Sequence, residues 1–267
     1  VMIKWMRRML KTCQILIKAT SKASVKNKFT NIVSMTNSFI QISDSHIDDE
    51  KNVWGTDSQK NLSSVVKSIA SRNYNALIIS GDLTHNGTSS SYSIFKEIAK
   101  PISANLSVVP GNHDNKLNLS SAFSQNYLTK LTIADWEIIS MDSVQDNKTS
   151  GLLRKDELKL LTENILSSTK KFIVLCLHHP PISMESNWDD QKSLENPDDF
   201  FNTIDKFSNI KAVIWGHAHQ GSEFNRNDVK LFSCPSTTLQ FNGPEMIGYN
   251  HFNLSDEGEI NCETVWL

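Results

Sequence analysis

Apolar runs and amphipathic stretches alternate along the chain. Phe39–Ile42 reads as a first strand. Leu62, Val65, Val66, Ile69 and Ala70 then recur at the spacing of one helix face, which predicts a helix over about 57–72. Ala76–Ile79 predicts a second strand. Tyr92, Phe95, Ile98 and Ala99 mark a helix over about 89–100, stopped by Pro101. Leu106–Val109 is the third strand. The pattern so far is β-α-β-α-β, that of a sheet built through helical crossovers.

A less regular stretch reaches to about 130. Trp136–Met141 then predicts a strand, and Asp156–Ser167 a helix with Leu158, Leu161 and Ile165 on its apolar face. Phe172–Leu177 is the most hydrophobic strand, and Pro180 and Pro181 turn the chain out of the sheet behind it. Residues 182–196 are polar and hold Trp188, as a loop over a site would. Asn196-Pro197 opens a further helix, with proline at its first position. Ala212–Trp215 is another strand, and residues 221–267 read as short strands joined by Gly and Asn turns. No repeat or linker divides residues 38–267, so a single domain with an all-β tail is expected.

Composition changes this picture only at the N-terminus. Residues 1–34 carry eight Lys and Arg and no acid, which leaves 19 bases against 29 acids in the body. The segment 1–37 is expected to be an unstructured extension or an open reading frame taken too far upstream, with a targeting peptide or a membrane-surface helix as the other reading. The acidic body argues against long nucleic acid as a partner. Four cysteines form no C-x-x-C pair, which suits a reducing cytoplasm, and no apolar run is long enough for a membrane span.

Five polar clusters close the apolar runs: Asp44-Ser45-His46, Gly81-Asp82, Gly111-Asn112-His113-Asp114, His178-His179 and Gly216-His217-Ala218-His219. Singly, each has an ordinary reading. Gly-Asp at a strand end is a common turn, and a His beside an apolar strand is commonly a hydrogen-bonded core residue. In succession they differ. Five strand ends each carry Asp, Asn or His, which are ligands for divalent first-row metals, and strand ends meet at one edge of an open α/β sheet.

The count closes on two ions. Asp44, His46, Asp82 and His219 could serve one, and Asp82, Asn112, His178 and His217 the other, with Asp82 bridging through its two oxygens. Ions about 3.5–4 Å apart clamp the attacking and leaving oxygens of an in-line displacement, and a water between them ionises near neutral pH. His113 is left beside Asn112, placed as a general acid or as a donor to developing charge. Asp114 either orients its imidazole or caps a helix. His179 is expected to support the ligands, His85 to be a solvated loop residue and His251 to be structural.

These clusters, in this order, resemble the signature of calcineurin-like metallophosphoesterases. The resemblance implies an α/β fold, a four-layer α/β/β/α sandwich of the metallophosphoesterase type. It implies two divalent or trivalent transition-metal ions, commonly iron, manganese or zinc, held at the seven positions named above. The family's histidine beside the Asn falls on His113. His113 and Asp114 are expected to be catalytic, and His46, Asp82, Asn112, His113, His178 and His219 to meet the substrate. A narrower likeness runs from about Phe39 to Ile260. Gly81–Thr84, Val109–Asp114, Leu177–Pro181, Gly216–Gln220, Pro235–Phe241 and Gly248-Tyr249 resemble bacterial class III cyclic-AMP phosphodiesterases.

The expected function is therefore hydrolysis of 3′,5′-cyclic AMP, a small-molecule phosphodiester, to 5′-AMP in the cytoplasm. Two alternatives share the fold: an enzyme acting on another phosphodiester, a pyrophosphate or a monoester, and a metal-free scaffold. A scaffold is expected to have lost several ligands, and all are present here.

Overall fold

A computed structural model describes residues 37–102, 104–242 and 245–267. The leader expected over residues 1–37 lies outside them, apart from Asn37. In chain order the first half contains β1 (Ser38–Ile42), β2 (Asn52–Val53), β3 (Thr56–Asp57), α1 (Ser58–Ala70), β4 (Ala76–Ile79), α2 (Ser89–Ala99), β5 (Asn105–Val108) and α3 (Lys116–Ala122). Next come β6 (Leu131–Ile133), β7 (Trp136–Ser140), α4 (Lys155–Ser167), β8 (Phe172–Cys176), α5 (Asn187–Asp190) and α6 (Pro197–Ile204). The chain closes with β9 (Ile210–Trp215), β10 (Ser222–Arg226), β11 (Val229–Ser233), β12 (Gly248–Leu254) and β13 (Ile260–Trp266).

One sheet has the order β13-β12-β1-β4-β5 and the other β10-β11-β9-β8-β7-β6. Strands β1, β4 and β5 are parallel in the first, and β7, β8, β9 and β11 in the second. Each parallel set presents its carboxyl ends at one edge.

Strand alternation sorts the apolar side chains into three cores. Ile40, Ile42, Leu77 and Ile79 face α1 and α2 through Leu62, Val65 and Phe95. Phe39 and Ile78 meet Ile138, Val174 and Ile214 of the opposite sheet. Ile139, Ile173, Leu175 and Val213 turn the other way, onto Leu161 and Ile165 of α4 and Phe200 of α6. Both sheets are apolar on both faces, so each needs a helical layer outside, which gives the expected α/β/β/α order. Gln41 pins the two sheets together just beneath the strand ends. Its Nε2 donates to Ser80 Oγ at 2.8 Å and to Trp215 O at 3.0 Å.

The expected strands and helices form with boundaries shifted by a residue or two. The structure adds a hairpin, β2–β3, that turns on Trp54 and Gly55 at φ 51° and 85°, the geometry of a type I′ turn. It also adds α3 and β6 within the irregular stretch, and one helical turn, α5, in the polar loop. No helix among the described residues is long and apolar enough to cross a membrane.

Candidate metal centre

The candidate ligands stand just beyond the carboxyl ends of β1, β4, β5, β8 and β9. Five of them lie in the left-handed region: Asp44 (φ 55°), His46 (43°), Asp82 (50°), His217 (67°) and His219 (48°). Such conformations cost about 1–3 kcal/mol each and persist only where the surroundings over-determine them. Here the loops are tied to one another. Asp44 N–H donates to Gly81 O and His46 N–H to Asp82 O, both at 3.0 Å, and Gly216 N–H donates to His178 O at 3.1 Å. Two glycines make the approach close enough. A Cβ on Gly81, itself at φ 104°, would overlap the His178 ring, and one on Gly216 would collide with Ser43 and come within 2.8 Å of Asp44 Oδ2.

The side chains then converge in two halves. In one, His219 Nε2 is 3.4 Å from Asp44 Oδ1 and 3.1 Å from His46 Nε2. In the other, His178 Nε2 is 3.2 Å from His217 Nδ1. Asp82 joins them, with Oδ2 3.6 Å from His46 Nε2 and 3.4 Å from His178 Nε2. The bridge differs from the sequence expectation. Asp82 Oδ1 accepts the backbone N–H of His113 at 2.8 Å, so a single oxygen faces both halves.

Two observations show that this donor set fits a pair of cations. The first is orphaned acceptors: Asp44 Oδ1 and Asn112 Oδ1 are buried with no hydrogen-bond partner among the described residues, an arrangement costly unless a positive group meets them. The second is tautomer control. His178 Nδ1 donates to Ser80 O and His219 Nδ1 to Leu239 O, both at 2.8 Å, which leaves their Nε2 lone pairs pointing into the centre. Facing lone pairs 3.1 and 3.2 Å apart repel unless a proton or cation lies between them.

Electrostatics prepare the same state. Burial opposes charge on Asp82, but His178 outweighs it and holds the carboxyl well below its usual range. Asp44 is likewise lowered, burial being overcome by His219. Burial keeps His46 and His217 neutral, hence able to ligate. His178 is the exception: against its burial, the Asp82 charge raises it to about 9.

His113 sits at the centre without joining either half. Its Nδ1 is 3.0 Å from His85 O, and its ring stacks on His85 at 5.1 Å. Here three sequence expectations need correcting. Asp114 does not orient the His113 imidazole; the His85 carbonyl does. Nor does Asp114 cap α3, whose first turn is capped by Asn115. Instead the Asp114 carboxylate accepts from the backbone N–H groups of Leu83, Thr84 and Gly111 and from the hydroxyls of Thr84 and Tyr92. Burial, and then the Asp82 charge, raise it to about 6. His85 is half-buried against His113 rather than solvated.

His179 is buried beside the His217 ring and bonds Ser143 Oγ at 2.8 Å, a partner the sequence did not signal. His251 lies on β12, bonded to Arg72. The cleft above the centre measures about 190 Å³, and Trp54, Thr149, Trp188, Lys192 and Phe241 line it beside the histidines. Of these only Trp188 was foreseen.

A fold with this edge and this donor set has close relatives. The sequence model of the calcineurin-like phosphoesterases matches residues 38–221. A probable cyclic nucleotide phosphodiesterase of Ruthia magnifica subsp. Calyptogena magnifica is 48% identical over 233 residues, spanning 87% of this chain and 100% of that protein. A 3′,5′-cyclic adenosine monophosphate phosphodiesterase, CpdA, of Pseudomonas aeruginosa is 28% identical over 235 residues, covering 83% and 86%. Among solved structures, a dimetal phosphatase from Danio rerio shares the fold with TM-score 0.68 at 12% identity, over 86% of this chain and 99% of that one. From the extent of the sequence match, the chain belongs to the calcineurin-like phosphoesterase family.

Proposed function

We propose that this protein is a binuclear metal-dependent phosphodiesterase that hydrolyses 3′,5′-cyclic AMP to 5′-AMP in the cytoplasm. The observation that carries the reading is Asp82 Oδ2, within 3.6 Å of a ligand nitrogen in each half. The names of the relatives support a cyclic nucleotide as the substrate. Free Cys176, Cys234 and Cys262 suit a reducing compartment.

Asp44, His46, Asp82 and His219 would hold one ion, and Asp82, Asn112, His178 and His217 the other. Nitrogen and oxygen donors of this kind suit iron, manganese or zinc. Bound there, such ions supply Lewis acidity toward phosphate oxygens and toward water. The chain's own groups do the rest. With its Oδ1 turned to an ion, Asn112 would offer its carboxamide N–H groups to a non-bridging phosphate oxygen. The His113 Nδ1–H is committed to His85 O, so Nε2 is the atom that can give a proton to the departing 3′ oxygen.

The test is a panel on metal-loaded protein: cyclic AMP, cyclic GMP, a simple aryl diester and an aryl monoester. The cyclic nucleotides are expected to give the highest kcat/KM. A monoester cut faster than every diester would contradict the reading.

A further inference from the structure

Three large aromatic side chains among the described residues stay substantially exposed, Trp54 at 48%, Trp188 at 50% and Phe241 at 37%, and all three line the cleft over the candidate metal centre. They come from separate places: the β2–β3 turn, the α5 turn and the loop between β11 and β12. Phe241 is central. It stacks on the His219 ring at 4.1 Å and 17°, with Trp54 at 5.6 Å and Trp188 at 5.0 Å edge-on to either side. Lys192 lies over the Trp188 ring at 2.9 Å and holds that ring in place. The arc therefore starts at a candidate ligand and runs outward from it.

Packing does not explain these rings, since each leaves much of its surface in water, and clustered exposed apolar surface marks a binding site. Turn chemistry does not explain Trp54 either. A type I′ turn favours Asn, Asp or Gly where φ is positive, and a bulky residue there is strained. A tryptophan held in that conformation, at the mouth of a cleft, points to a flat ligand.

We propose that Trp54, Phe241 and Trp188 form a stacking wall that takes the purine of a cyclic nucleotide while the acids and histidines below take its phosphate. The inference rests on the cyclic-nucleotide reading above and adds which residues make the substrate a nucleotide. Beyond the groups of the candidate centre and the two indole N–H groups, the polar side chains that line the cleft among the described residues are Lys192 and Thr149, and Thr149 is exposed. A wall without a buried hydrogen-bonding group senses that a base is present, not which base it is.

The experiment compares cyclic AMP with a base-free cyclic diester, the 3′,5′-phosphate of 1-deoxyribose, in the metal-loaded protein and in Trp54→Ala, Trp188→Ala and Trp54→Phe. Stacking of one base on an aromatic ring corresponds to about a tenfold to hundredfold effect. The ratio of kcat/KM for cyclic AMP to that for the base-free diester is expected to fall by this factor in each alanine variant and to recover largely in Trp54→Phe. Binding of 5′-AMP should quench tryptophan emission, and less so in Trp54→Phe. Cyclic GMP should be turned over within about tenfold of cyclic AMP. An unchanged ratio in both alanine variants, with cyclic AMP still hydrolysed, overturns the wall and leaves the function standing. No turnover of any cyclic nucleotide, with an aryl diester still cut, overturns both.

Discussion

The backbone N–H of His217 donates to Asp44 Oδ2 at 2.9 Å. The bond joins the carboxyl end of β9 in one sheet to that of β1 in the other. With Oδ2 engaged, Asp44 has only Oδ1 left, and that atom is buried, without a hydrogen-bond partner among the described residues, and 3.4 Å from His219 Nε2. One backbone bond thus aims a carboxylate and closes the gap between two layers.

Gly216 is what permits it. In Gly216→Ala the new Cβ would lie 2.8 Å from Asp44 Oδ2 and 3.0 Å from Ser80 O, both fixed by the loops around them. The expected outcome is a stability loss of about 1–3 kcal/mol and metal content below that of the parent protein. Thermal unfolding and elemental analysis check it.

His113→Ala should separate chemistry from metal binding. The backbone N–H that holds Asp82 survives the change, so metal content should match the parent. Without the imidazole, kcat on a diester is expected to fall about 10²–10³-fold. A fall below tenfold would remove His113 from proton transfer.

Asp114→Ala should behave in the opposite way. It strands the five donors that now end on one carboxylate, and the expected cost is on the order of 3 kcal/mol of stability. Its folded fraction should keep kcat within about tenfold of the parent, since the His113 ring is held by His85 O. Urea titration and kinetics on the same preparation distinguish the two effects. A kcat as low as that of His113→Ala would restore a catalytic part to Asp114.

What the sequence made legible follows from range. Strands such as Ala76–Ile79 and helices such as Ser58–Ala70 announce themselves by local periodicity, and Asp44, Asp82 and His217 stand directly behind such strands. The role of Asp114 was not legible, because its partners Leu83, Thr84 and Tyr92 lie more than 20 residues away. The same holds for His85, whose position depends on a contact between two loops. The two-residue strands of the Trp54 hairpin are too short to show a period. Trp54 and Phe241 became a wall only when three loops were seen to meet.

Metal stoichiometry tests the paired centre most directly. Protein reconstituted with manganese or iron and freed of excess should hold two ions per chain. His219→Ala should lose one, and Asp82→Ala should lose both together with diesterase activity. One ion or none in the parent protein, or two ions retained by Asp82→Ala, would contradict a centre joined through Asp82.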